Sequence, residues 1–137
     1  MTKYVIDASV VVKSLLNEDE NVKTRFVDLL KKAQNKKIDL ISSKLLIIEV
    51  SNGFRFGIKD VKECLDVFKD FLTIPITIVS LTNNQLRESI EMSYKLGTTV
   101  YDTSYHVLAK ANSAIFLTCD KEYYKKAKSS GEIELLI

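Results

Sequence analysis

The chain has 137 residues, 46% hydrophobic and 28% charged, with a net charge of +2. That length suits one domain with a sizeable core, and that balance excludes a disordered chain. No apolar run nears the ~20 residues of a membrane span, and Asp7 and Lys13 interrupt any secretory signal pattern at the N-terminus, so a cytoplasmic protein is expected.

Residues 3–7 read as a strand that ends on Asp7. Val10, Val11 and Leu15 then suggest a short helix. Residues 22–35 carry Val22, Phe26, Leu29, Leu30 and Ala33 at helical spacing, and 38–42 form a short strand. Two apolar-rich helices, 43–56 and 59–72, split near Gly57. The only proline, Pro75, precedes an extended segment at 76–81. Residues 83–96 form a helix that Gly97 stops. A helix at 100–111, a buried strand at 114–118, a basic helix at 121–129 and a last strand at 133–137 complete the chain.

Strands alternating with helices predict an α/β/α sandwich, a single domain with a mainly parallel central sheet covered on both faces. Ligands bind such sheets beyond the carboxyl ends of the strands. Two short stretches bear on that rule. "YVIDAS" (4–9) and "AIFLTCD" (114–120) each run from an apolar strand into an aspartate, Asp7 and Asp120.

Two further acids stand out. Glu49 follows four apolar residues in "LLIIEVSNGF" (45–54), and Asn52, three residues on, shares its helix face. Asp102 lies in "TTVYDTSYHVLAK" (98–110). Each acid also has a plain structural reading. Asp7 (or Ser9) and Asp120 suit helix N-caps, Asp102 three residues after Thr99 resembles a capping box, and Glu49 can point to water. Taken together, four carboxylates at one sheet edge would repel one another, and a divalent cation would relieve that repulsion. Oxygen-only ligands favour Mg²⁺ or Mn²⁺, which suits phosphoryl chemistry.

These residues carry a resemblance. The chain is similar, over essentially its whole length, to PIN-domain nucleases, in particular the VapC-type toxins of toxin–antitoxin systems. "YVIDASVVVKSLL" resembles the family's opening, with Asp7 as first acid and Ser9 as its hydroxyl partner. "LLIIEVSNGFRF" matches its Glu-x-x-Asn helix, with Glu49 and Asn52. "VYDTSYHVLAK" supplies the third acid, Asp102, with Tyr105 in its usual place, and "FLTCD" the last, Asp120, preceded by Thr118. The resemblance implies Mg²⁺- or Mn²⁺-dependent RNA cleavage. Asp7, Asp102 and Asp120 would hold metal, Glu49 would hold a second metal or orient water, and Ser9, Asn52 and Thr118 would support them. It also implies a cognate antitoxin as partner and a homodimer. Two positions depart from the family: Ser43 and Lys44 stand where proline is frequent, and His106 where an aliphatic residue is common.

Other residues invite separate readings. His106, the only histidine, lies four residues after Asp102, but without a second histidine a packed or solvent-facing ring is expected. Cys64 and Cys119 read as buried thiols rather than a disulfide or nucleophile. "KEYYKKAK" (121–128) places Lys121, Lys125 and Lys128 on one helix face, as phosphate contacts or a solvated surface, with Tyr123 or Tyr124 available to stack on a base. Setting the four acids aside leaves 20 basic against 14 acidic residues, a surface balance of +6 that suits an RNA-binding enzyme. Two rival functions are open to test. A phosphate-accepting receiver would need an acidic pair after the first strand, and here Ala8 and Ser9 follow Asp7. A catalytically silent scaffold of the same fold would keep RNA or protein binding without cleavage.

Overall fold

The computed structural model describes residues 1–137. Five strands form the sheet: β1 (Thr2–Ile6), β2 (Ile38–Ser43), β3 (Thr77–Val79), β4 (Ile115–Thr118) and β5 (Ile133–Leu135). All pair in parallel, in the order β3-β2-β1-β4-β5. Seven helices connect them: α1 (Ala8–Leu15), α2 (Glu20–Gln34), α3 (Lys44–Gly57), α4 (Val61–Phe71), α5 (Asn83–Leu96), α6 (Val100–Ala111) and α7 (Lys121–Ala127). The basic segment 121–129 is therefore a shorter helix followed by a 3-10 turn, Lys128–Ser130. Right-handed crossovers place α1–α4 on one face and α5–α7 on the other. Packing agrees, since α1 lies on α2 and α3, α3 on α4, and α5 on α6. No helix is long and apolar enough to cross a membrane.

The core follows from the strand sequences. Val5, Ile6, Leu40, Phe116 and Leu117 are buried at the centre of the sheet, and Val10, Phe26, Leu46, Val50, Phe54 and Leu108 close over them from the helices. Each such side chain contributes about 1.5–3 kcal/mol on burial. Phe54 belongs to this core and is 0% exposed. Ile48 and Phe56, on the same helix, stand out into solvent.

Two details aim α3 and the α5–α6 hairpin. A Cβ at Gly53 would lie 2.7 Å from Val12 Cγ2, so the absence of a side chain there lets α3 approach α1. In the hairpin, Gly97 takes the left-handed conformation (φ 67°) and its N–H donates to Ser93 C=O, ending α5 as its position foretold. The chain then turns, and Thr99 caps α6.

The crossovers reverse direction between β1 and β4, the neighbouring central strands. β1 leads toward β2 and β3, while β4 leads toward β5. This reversal opens a crevice at the strands' carboxyl ends. Ile6 pairs with Leu117, so Asp7 and Thr118 emerge side by side at that crevice.

Candidate active site

Asp7 is the one fully buried acid among the four, 7% exposed. It is the N-cap of α1: its Oδ1 accepts from the amides of Ser9 (3.0 Å) and Val10 (3.4 Å) and from Ser9 Oγ (2.5 Å). Its Oδ2 accepts from Thr118 Oγ1 at 2.5 Å. The two hydroxyls pass the connection on. Ser9 Oγ accepts from the Cys119 amide and Thr118 Oγ1 from the Asp120 amide, both at 3.0 Å. Asp7 thus ties the end of β1 to the backbone that carries Asp120. Burial pushes its carboxyl up from 3.8 to about 6, partly offset by these hydrogen bonds, and the Asp102 charge adds to the rise.

Asp120 caps α7, with Oδ1 accepting from the Tyr123 amide at 3.0 Å. Asp102 sits in the first turn of α6, and its amide donates to Thr99 Oγ1 at 3.2 Å. Capping and site geometry therefore coincide for Asp7 and Asp120, while Asp102 follows a threonine cap. Half-buried Asp102 also links the four acids. Its carboxyl is pushed up first by burial and then by the charges of Asp120 and Glu49.

Glu49, half-buried on α3, reaches the same edge from the opposite layer. Its Oε1 accepts from Tyr105 Oη at 2.5 Å. Tyr105 is 1% exposed and stacks on Phe116, with ring centroids 6.0 Å apart. Burial and the Glu49 carboxylate push its phenol up, so it stays protonated and donates. This bond joins α3 to α6 and leaves Glu49 Oε2 without a protein partner.

Asp102 and Asp120 line an open cleft of about 360 Å³ with Gly97, Thr98, Thr99, Glu122, Tyr123 and Lys126. Asp7 and Glu49 lie beside it rather than in its wall. No three carboxylates draw close enough to enclose a metal ion in this arrangement. The donor set nevertheless fits a hard divalent cation: four carboxylates whose charges couple through Asp102, with no histidine or thiolate among them. Two buried hydroxyls without a protein partner, Ser43 Oγ and Thr98 Oγ1, lie at the same sheet edge, Thr98 in the cleft wall itself.

A PIN-domain family model matches residues 4–129. The chain belongs to the PIN-domain family. Among solved structures, this PIN domain is similar to PAE2754 of Pyrobaculum aerophilum, with 22% identity, a TM-score of 0.69 and cover of 98% of this chain and 91% of that one. It is also similar to VapBC2 of Rickettsia felis, solved bound to a DNA fragment from its promoter: 16% identity, TM-score 0.69, 98% and 97% covered. A third is VapC20 of Mycobacterium tuberculosis, a toxin that cleaves the sarcin–ricin loop: 10% identity, TM-score 0.66, 93% and 95% covered. At these identities the likeness speaks to the fold. No curated protein matches the chain.

The remaining sequence candidates fall in different places. Ser9 and Thr118 are in direct contact with Asp7. Asn52 is exposed on α3, and its side chain makes no hydrogen bond within this PIN domain. Lys121, Lys125 and Lys128 are exposed, but none lines the cleft; the lysine that does is Lys126, whose Nζ donates to Gly97 C=O at 3.2 Å. Its neighbours Lys125 and Lys128 fit a helical stripe better, and only the docking of α7 on the α5–α6 turn singles Lys126 out. Tyr123 is 2% exposed and not free to stack on a base. Cys119 is buried, with its thiol pushed up to about 11 by burial, which removes it as a nucleophile.

Proposed function

We propose that this PIN domain is a divalent-metal-dependent endoribonuclease and the toxin of a toxin–antitoxin pair. One observation supports the reading: Asp7, Glu49, Asp102 and Asp120 come from four separate segments, and Asp102 feels the charges of Glu49 and Asp120 while its own charge acts on Asp7. In this reading Asp7, Asp102 and Asp120 hold Mg²⁺ or Mn²⁺, and Glu49 holds a second ion or orients water. When bound, the metal neutralises phosphate charge and lowers the pKa of water.

The chain's own residues do the positioning. Thr118 and Ser9 fix both Asp7 oxygens and hold the Asp120 backbone in place. Tyr105 turns Glu49 so that its free oxygen is available to accept a proton from water aligned with the scissile phosphorus. Lys126, beside the cleft, supplies positive charge for an RNA phosphate. Direct attack of water on phosphorus leaves a 5′-phosphate and a 3′-hydroxyl.

Two exposed apolar faces support the reading of the partners. Ile48, Phe56, Val61, Leu65 and Leu72 leave an apolar face on α3 and α4, which suits an antitoxin segment. The stripe Leu86, Ile90 and Tyr94 on α5, with Tyr101 on α6, suits a second copy of the chain. Incubation with structured RNA, with and without Mn²⁺, tests the reading. A scaffold without catalysis would bind RNA and leave it whole under every metal condition.

A further inference from the structure

The acidic cleft is a gap between two walls. The α5–α6 turn and Asp102 form one; Asp120, Tyr123 and Lys126, from α7 and its cap, stand in the other. Two hydrogen bonds cross from α7 to the α5–α6 hairpin. Lys126 Nζ donates to Gly97 C=O at 3.2 Å, at the surface. Tyr123 Oη lies 2.8 Å from His106 Nδ1 in the interior, where the two residues are 2% and 0% exposed. The other side of the ring gives this buried bond its direction. His106 Nε2 lies 2.7 Å from Gly131 C=O, and a carbonyl only accepts, so Nε2 carries the proton. Burial holds His106 below the ordinary histidine range, so the ring is neutral near pH 7 and Nδ1 accepts. Burial, then the charges of Asp102 and Asp120, push the Tyr123 phenol up, so it keeps its proton and donates. Phe116 packs against both rings, at 5.7 and 5.8 Å.

This bond closes a circuit between the two walls. Asp120 Oδ1 accepts from the Tyr123 amide at 3.0 Å, so the residue that places this carboxylate is also the one that bonds His106. Asp102 lies four residues before His106, one turn away on the same side of α6. With only seven residues, α7 is too short to hold its shape alone, and its place depends on what it docks against. We infer that His106 is a positioning residue for the cleft: its bond to Tyr123 fixes α7 against α6, and so sets Asp120 and Lys126 opposite Asp102. Its effect on cleavage rests on the nuclease reading; its effect on the docking of α7 does not.

The test compares wild type, Y123F, H106Q and H106N. An asparagine oxygen can stand where Nδ1 accepts from Tyr123. A glutamine amide can reach Gly131 but leaves Tyr123 without its acceptor. Amide hydrogen exchange in EDTA reads the docking of α7, and urea unfolding reads global stability. In Y123F and H106Q the Tyr123 and Tyr124 amides should exchange about tenfold faster relative to those of β4, the scale of one buried hydrogen bond lost in a local opening. H106N should exchange within about threefold of wild type. On a short RNA in Mn²⁺, kcat should fall about tenfold in Y123F and H106Q, with KM nearly unchanged, because small misplacements of reacting groups are costly. H106N should keep most of kcat. A histidine that only fills space predicts another pattern, in which H106N and H106Q fall together and Y123F does not. That pattern overturns the inference, as does a Y123F protein with wild-type exchange or wild-type kcat. If H106N fails to fold, Y123F decides by the same two readouts. Faster exchange in Y123F with no cleavage by wild type would overturn the nuclease reading and the role of His106 in cleavage, and would leave the docking of α7 through His106 supported.

Discussion

Replacing Asp7 by asparagine separates the two roles that its carboxylate combines. In the folded, metal-free protein burial raises its pKa from 3.8 to about 6. The folded state therefore binds this proton more tightly than the unfolded chain does. Asp7 contributes stability that is fully present below pH 3.8 and is lost as pH rises through about 6. The whole difference corresponds to at most about 3 kcal/mol. The D7N amide removes that cost at neutral pH but cannot accept from Thr118 as the carboxylate does, and a displaced buried hydroxyl costs about 1–3 kcal/mol. D7N should accordingly be between unchanged and about 2 kcal/mol more stable than wild type near pH 7 without metal. From about pH 7.5 to about pH 5, wild type should gain about 1.4 kcal/mol relative to D7N. His106, whose pKa is lowered by burial, acts with the opposite sign below its ordinary 6.5, but it is present in both proteins and cancels. Urea unfolding of both proteins in EDTA at the two pH values reads the difference directly. A D7N protein that is destabilised by more than about 2 kcal/mol, equally at both pH values, would show that Asp7 serves as a cap alone.

Asp102→Asn should abolish metal-dependent cleavage, keep the metal-free melting temperature at or above that of wild type, and lose most of the upward shift that Mn²⁺ gives wild type. Tyr105→Phe should lower kcat about tenfold with little change in KM for RNA, because Glu49 loses the donor that aims it; steady-state kinetics on a short RNA substrate measure the split. Gly53→Ala should destabilise the fold by about 1–3 kcal/mol in thermal melts, because its Cβ would meet branched Val12 on the facing helix. In a complex with the antitoxin, changing each antitoxin Arg and Lys to Ala should identify one whose loss weakens inhibition. A guanidinium or ammonium group near Asp7, Asp102 or Asp120 would occupy the place of the cation. Survival of inhibition through every such change, with apolar contacts intact, would exclude a cation plug.

The alternation of apolar strands with amphipathic helices made the layered sheet legible, because each element has its own period and Gly97 marks its own boundary. Asp7 and Asp120 were legible for a related reason: a carboxylate one or two residues past a buried strand stands at the sheet's carboxyl edge. The partnership of Glu49 with Tyr105 was not legible, since 56 residues separate them and only the docking of α3 and α6 across the sheet edge brings them together. The same limit explains the lysines. Spacing groups Lys121, Lys125 and Lys128 on one face, but which lysine meets the cleft depends on how α7 lies against the α5–α6 turn, and there exposed Lys126 is the one that lines it. Asn52 shares a spacing with Glu49, yet the buried stripe of α3 runs through Val50 and Phe54 and turns Asn52 to solvent. His106 reads as an ordinary core histidine until Tyr123 and Gly131, 17 and 25 residues away, fill both sides of its ring.

The proposed activity is RNA cleavage by four carboxylates at one sheet edge with the help of a divalent cation. The most direct test follows purified protein with a structured RNA in Mn²⁺, in Mg²⁺ and in EDTA, and determines the chemistry of the product ends. Cleavage in Mn²⁺ or Mg²⁺, none in EDTA and none by Asp102→Asn, with 5′-phosphate and 3′-hydroxyl ends, is the expected result. Cyclic phosphate ends, or cleavage that persists in EDTA, would contradict it.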